Sequence, residues 1–195
     1  MSKNTFMSKK IFPINFIMTG GTIDSYYEGT KDTVVPNKHS IIPRFIKCLH
    51  LENPTEFTEI CMKDSREITK DDLGYLLNEI EKSSYKHFII THGTYTMADS
   101  ARYLEANLKN KNKVIILTAS MLPMAEFTLS DGGFNLGYAV SKLQDLSNGV
   151  YVCMNGKVFS STEVIKVISE GSFISIFGEK YFCYDREIPI FELMN

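Results

Sequence analysis

The sequence predicts an α/β domain in which helices cover both faces of a mostly parallel sheet. Two observations carry that prediction. The runs Phe12 to Thr19, His87 to Thr91, Val114 to Thr118 and Gly149 to Met154 are almost continuously apolar, as strands buried on both faces are. Between them lie segments whose apolar residues recur at helical spacing, and that alternation means a parallel sheet joined by right-handed crossovers. A third observation concerns the strand ends. The first run leads into Thr19-Gly20-Gly21-Thr22-Ile23, and the run at His87 into Thr91-His92-Gly93-Thr94-Tyr95-Thr96-Met97. Ligands of open α/β sheets bind outside the carboxyl ends of the strands. Two threonine-bearing turns there point to a hydroxyl nucleophile with a hydroxyl relay. A G-x-G-x-x-G turn or a P-loop lysine, which a nucleotide site would want, is absent.

The elements follow in order. Met1 to Lys10 is polar and basic and reads as a disordered tail. A signal peptide is disfavoured because Pro13 and Asn15 interrupt the apolar core and no small-residue cleavage pattern precedes the Gly-Gly turn; a cytoplasmic location is expected. Glu56 to Met62 reads as a second strand. Thr69 to Ser84 carries Leu73, Leu76, Leu77 and Ile80 at helical spacing, with Thr69 as N-cap and Asp71 and Asp72 in the first turn, where acidic side chains suit the helix dipole. Met97 to Lys109 is a helix with Ala101, Leu104 and Leu108 on one face, and Asp131 to Leu146 another. From Lys157 the pieces Lys157 to Ser160, Ser172 to Phe177 and Lys180 to Tyr184 are short and β-prone, which predicts a small C-terminal β extension. The whole reads as a three-layer Rossmann- or flavodoxin-like arrangement in one domain over residues 11–195, without internal repeats.

Composition excludes several classes. The chain has 195 residues, 44% of them hydrophobic and 23% charged, with a formal net charge of -2. It can bury a core, and it shows no basic footprint for nucleic acid. Lys109, Lys111 and Lys113 read as a solvated helix end and strand entry. No apolar stretch reaches the ~18 residues that span a bilayer. Cys48, Cys61, Cys153 and Cys183 form no C-x-x-C pair and His39, His50, His87 and His92 are scattered, so neither a zinc site nor a disulfide framework is expected. Cys61 and Cys153 sit in strand-like runs, where a thiol acts as a small hydrophobe.

Each chemical motif is ambiguous alone. Gly20 and Gly21 permit a tight turn whose backbone N–H groups can hold an oxyanion, yet such turns also merely pack a helix. His92 suits a backbone-capping role better than catalysis. Thr94 is either part of the site or an N-cap for the helix beginning near Thr96. Lys166, in Val164-Ile165-Lys166-Val167, is either an ordinary snorkelling stem or a partly buried amine able to take a hydroxyl proton.

Together these pieces resemble the bacterial-type L-asparaginase/glutaminase family over residues 14–168, its N-terminal domain. Thr19 to Ile23 matches its first signature and His92 to Met97 its second, followed by Ala98-Asp99-Ser100-Ala101. Ser130-Asp131-Gly132-Gly133-Phe134-Asn135-Leu136 is similar to a third family segment, and Met154-Asn155-Gly156 leading to Val164-Ile165-Lys166 to the stretch carrying the family lysine. The resemblance implies an amidohydrolase that converts L-asparagine and water to L-aspartate and ammonia through an acyl-enzyme. Thr22 would be the nucleophile, Thr94 and Lys166 the proton-transfer pair, and Tyr26 or Tyr27 the tyrosine of the loop over Thr22. Gly21, Ser65, Arg66, Gly93, Tyr95 and Ser120 would line the substrate site, Ser65 holding its α-carboxylate. No cofactor or metal is implied, and the partner is a small amide.

Two departures stand out. Tyr95 occupies the place of the family aspartate that grips the substrate α-ammonium, and a neutral tyrosine supplies no charge there. Arg66 replaces a glutamine and adds a donor fork suited to carboxylates. Such a pocket would take an acid without an α-amine, or an asparagine held differently. The alternatives are therefore a hydrolase of a small amide or ester lacking an α-ammonium, and a weakly catalytic small-molecule-binding module. Familiar members also carry a C-terminal domain completing a neighbour's site; this chain is more similar to shorter single-domain relatives, and a homodimer closing the crevice is expected.

Overall fold

The computed structural model describes residues 11–125 and 128–178. The basic tail, Cys183 and the strand expected over Lys180 to Tyr184 lie outside the described residues. In chain order the strands and α-helices are β1 (Ile14–Gly20), β2 (Ser25–Glu28), β3 (Thr33–Pro36), α1 (Ile42–Cys48), β4 (Thr55–Lys63), α2 (Lys70–Lys82), β5 (His87–Thr91), α3 (Met97–Asn107), β6 (Val114–Thr118), α4 (Gly132–Lys142), β7 (Gly149–Met154), β8 (Lys157–Ser160), β9 (Val164–Val167) and β10 (Ser172–Ser175).

The main sheet has the order β4-β1-β5-β6-β7-β8. Its first five strands are parallel and β8 is antiparallel to β7. The chain therefore steps from β1 outward to β4, then returns across β1 to β5. That reversal of strand order leaves a crevice between the ends of β1 and β5, the switch point where open α/β sheets bind ligands.

Alternation along each strand divides the core into two layers. Ile17, Phe88, Ile90, Ile115, Leu117, Val150 and Val152 pack beneath α2 and α3, against Leu76, Ile80, Ala101 and Leu104. Ile14, Phe16, Met18, Ile89, Ile116 and Tyr151 pack beneath α1 and α4, against Ile42, Ile46, Leu136 and Ala139. Helices thus cover both faces, as the continuous apolar runs require. Thr69 caps α2: its hydroxyl accepts from the Asp72 amide and the Asp72 carboxylate accepts from the Thr69 amide, satisfying two otherwise orphaned donors.

The structure corrects the sequence reading in three places. Between Ile23 and Glu56, where no element was expected, the chain forms the β2–β3 hairpin and α1, both short. The C-terminal strands divide: β8 joins the main sheet, while β9 and β10 make a separate antiparallel ribbon. Lys113 is not solvated. It is buried, its Nζ donates to the carbonyls of Ser83 and Tyr85 at 2.8 Å each, and it lies over the Phe88 ring. Those carbonyls follow the end of α2, where backbone acceptors otherwise lack partners.

Candidate active site

Three loops meet at the switch point. After β1 the chain turns through Gly20 and Gly21, both at positive φ, into a single 3-10 turn, Thr22–Asp24. The Gly21 amide donates to the Lys63 carbonyl at 2.8 Å, tying the turn to the end of β4. A Cβ on Gly21 would stand 2.4 Å from the Cα and amide nitrogen of Gly93. A Cβ on Gly93 would stand 2.7 Å from Ser65 Cβ and Oγ. Gly21, Gly93 and Ser65 are therefore stacked in contact, and only glycine at the first two positions allows it. Thr19 Oγ donates to the Thr91 carbonyl at 2.9 Å and fastens the ends of β1 and β5 to each other.

The two threonines emerge one residue beyond the stacked glycines. Thr22 is half-buried and makes no side-chain hydrogen bond among the described residues. Thr94 is buried, and its Oγ accepts a 2.6 Å hydrogen bond from Lys166 Nζ. Lys166 is therefore not a free surface stem, and Thr94 is not the N-cap of α3. The N-cap of α3 is Thr96, whose hydroxyl instead donates to the Ser65 carbonyl at 2.8 Å.

Lys166 rides on β9. The guanidinium of Arg102 on α3 donates to the Val164 carbonyl. Buried Glu163 accepts from the Ser160 amide at 2.6 Å and from Ser175 Oγ at 3.1 Å, holding β9 between its neighbours. Burial pushes the Lys166 ammonium below the ordinary lysine range, the nearby Arg66 charge pushes it the same way, and Asp64 opposes both. A lysine so placed is a better proton acceptor near neutrality than one in water.

Ser65 and Arg66 begin the short turn after β4. Ser65 Oγ is buried and has no hydrogen-bond partner among the described residues. An orphaned hydroxyl at such a place calls for a ligand. Arg66 uses its donor fork within the chain. Its Nε and Nη2 donate to the two Asp64 carboxylate oxygens at 3.0 and 2.7 Å, so its fork is occupied. That pairing holds the Asp64 carboxyl below the usual carboxylate range. Asp64 had no assigned role in the sequence, although its i, i+2 spacing to Arg66 is visible there.

His92 takes the capping role expected of it. Its Nδ1 is 2.9 Å from the Gly93 carbonyl and its Nε2 is 3.0 Å from Ser100 Oγ. A carbonyl only accepts, so Nδ1 carries the proton and Nε2 accepts from Ser100. Complete burial pushes the ring down to about 4, which keeps it neutral.

Ser120, Tyr26 and Tyr27 make local contacts of their own. Ser120 is buried after β6, its hydroxyl donating to the Leu122 carbonyl at 2.6 Å. Asp131 accepts from the amides of Met121 and Leu122, and Asn135 donates to the Ala119 carbonyl. The third sequence segment thus serves to shape the loop after β6. Tyr26 and Tyr27 are neighbours on β2 of the hairpin that leaves Asp24. The Tyr26 hydroxyl donates to Glu28 and the Tyr27 hydroxyl to Asp32. Buried Asp24 anchors the far end of that hairpin by accepting from Ser40 Oγ and from the Ile41 amide. Its carboxyl sits above the usual range because burial outweighs those bonds. Two hollows of about 230 and 300 Å³ lie elsewhere, one lined by Leu49, Leu51 and Val140 and the other by Glu56, Glu79 and Tyr85. Neither contains a candidate group. No helix among the described residues is long and apolar enough to cross a membrane.

Comparisons with known proteins bear on the fold that carries these turns. Residues 13–176 match the family model described as asparaginase, N-terminal. L-asparaginase 1 of Escherichia coli strain K12 is 32% identical over 113 residues, covering 56% of this chain and 33% of that protein. The thermostable L-asparaginase from Thermococcus kodakarensis superposes with a TM-score of 0.73 at 28% identity, covering 84% of this chain and 51% of that one. The probable cytoplasmic L-asparaginase from Campylobacter jejuni gives a TM-score of 0.73 at 26% identity, with coverages of 85% and 54%. The chain spans about a third of that curated relative and about half of each solved structure.

Proposed function

The chain belongs to the asparaginase family, and from that premise we propose that it hydrolyses the amide of a small carboxylic acid, releasing ammonia, with Thr22 as nucleophile. L-asparagine is the member of that class for which the relatives are named. The observation that carries the reading is the 2.6 Å contact between Lys166 Nζ and Thr94 Oγ, on the turn whose Gly93 packs against Gly21, the residue before Thr22.

In this reading Thr22 Oγ attacks the amide carbon. Its proton passes to Thr94, whose own hydroxyl proton moves to the neutral form of Lys166. Amides of the two turns other than that of Gly21, which is bonded to the Lys63 carbonyl, would hold the oxyanion that forms. The C–N bond then breaks, the nitrogen recovers a proton from Lys166 through Thr94, and ammonia leaves an ester on Thr22. Water attacks that ester by the same relay and frees the acid. His92 holds the Gly93–Thr94 turn without titrating near neutrality. Ser65 Oγ is the donor left open for the substrate carboxylate.

The test is ammonia release by the purified chain from L-asparagine, L-glutamine and succinamic acid, beside Thr22→Ala and Lys166→Met. Release that disappears in both variants supports the reading. Release that survives in Thr22→Ala removes Thr22 as nucleophile, and silence of the wild type on every amide favours a binding module.

A further inference from the structure

The wall of the site beside Thr94 carries more positive than negative charge. Two cations share the ring of Tyr95: Lys166 Nζ lies 4.1 Å from its centroid and Arg66 Cζ 4.7 Å from it. Cations are drawn to an aromatic face by the ring quadrupole, so Tyr95 gathers two charges where a carboxylate would have cancelled one. Asp64 is the carboxylate that acts on both cations. Its oxygens already accept from the Arg66 amide, Nε and Nη2. Glu67 acts on Arg66 and Lys63 but is not among the groups that act on Lys166. Among the described residues, Asp64 is thus the carboxylate shared by the two cations, it already accepts three bonds from Arg66, and Ser65 Oγ is buried without a partner.

We propose that the site prefers ω-monoamides of dicarboxylic acids that lack an α-ammonium group over the amides of amino acids. The inference rests on the amidohydrolase reading above and names its substrate class. The far carboxylate of such a molecule takes the open Ser65 hydroxyl and the favourable field of Lys166 and Arg66. An α-ammonium on the adjacent carbon would enter the same field with no free carboxylate among the described residues to meet it, and like charges at close range disfavour it. The Tyr95 hydroxyl can hydrogen-bond but brings no charge. The reaction balances as amide plus water giving dicarboxylate and ammonium.

The experiment separates binding from turnover. Dissociation constants of succinamic acid and L-asparagine are measured by calorimetry on Thr22→Ala protein, whose fold is checked by circular dichroism. Ammonia release is measured on the wild type. Succinamic acid should bind at least about tenfold more tightly than asparagine, the scale of one charge-assisted contact. Tyr95→Asp should move the ratio toward asparagine by about tenfold or more, while Tyr95→Phe should leave it unchanged. If Tyr95→Asp does not fold, the wild-background ratio and Tyr95→Phe still decide. Equal or tighter binding of asparagine overturns the inference, as does a failure of both ligands to bind. Tight binding of succinamic acid without ammonia release would sink the hydrolase reading and leave the pocket assignment standing.

Discussion

The two turns at the switch point are built from the same residue types, yet they hold their threonines differently. After β1, Thr22 follows two glycines at positive φ and stands half-buried, its hydroxyl without a partner among the described residues. After β5, Thr94 follows a buried histidine and one glycine, is itself buried, and is bonded to Lys166. One hydroxyl is left free to meet a ligand, and the other is fixed against an amine whose proton affinity is lowered by burial. The contrast teaches that a shared Gly-Thr signature specifies where a hydroxyl goes, while the surrounding partners specify what it does.

The sharpest way to break that comparison is to remove each hydroxyl in turn. Thr22→Ala should lower ammonia release on the order of 10⁴-fold or more, as expected for a lost nucleophile. Thr94→Val should cost about 10²–10⁴-fold, the range of a lost acid–base partner. Steady-state rates with an ammonia-coupled assay decide it, and equal losses would mean the two turns are not divided as described.

The next effect concerns the glycine stack. Gly21→Ala puts a methyl 2.4 Å from Gly93 backbone atoms at φ +80, and should destabilise the fold by about 2–4 kcal/mol. Gly93→Ala meets mainly the Ser65 side chain, so it should cost less stability but disturb ligand binding more. Urea unfolding beside ligand titration checks the split.

A pH series probes the partner of the second turn. His92 titrates near 4 in the fold against an ordinary 6.5. Between those values the unfolded chain binds a proton that the folded chain refuses. Stability should therefore fall as pH drops from about 6.5 toward 4, by about 3 kcal/mol in total. His92→Asn should flatten that decline in urea midpoints measured at pH 7 and 4.5. An unchanged slope would show that His92 is not the buried neutral group described.

The smallest effect is a control. Gly137 lies on the exposed side of α4 with nothing within 4 Å of an added methyl. Gly137→Ala should raise stability by about 0.5–1 kcal/mol, the helix-propensity gain, and leave ammonia release untouched. A melting temperature that falls instead would mean that α4 has packing partners the contacts do not reveal.

Much of the fold was legible because burial on both faces leaves a local signature. Phe88 to Ile90 and Val114 to Leu117 are fully apolar since helices cover both sides of β5 and β6, and the Thr69–Asp72 box needs only four consecutive residues. The β2–β3 hairpin and α1 were not legible, being short and lacking a sustained period. Lys113 was misread because a lysine held by the carbonyls of Ser83 and Tyr85 depends on residues 28 to 30 positions away.

The sequence by itself determined the parallel α/β frame, the threonine-bearing turns after β1 and β5, and the family to which they belong. These are matters of residue type and spacing along the chain. Only the tertiary structure decided that Lys166 reaches Thr94 across 72 residues, that Asp64 occupies the Arg66 fork, and that Tyr95 gathers two cations. Electrostatic roles depend on distance and burial in space, and both are set by the strand order that puts β1 beside β5 and by the separate β9 ribbon that brings Lys166 to Thr94.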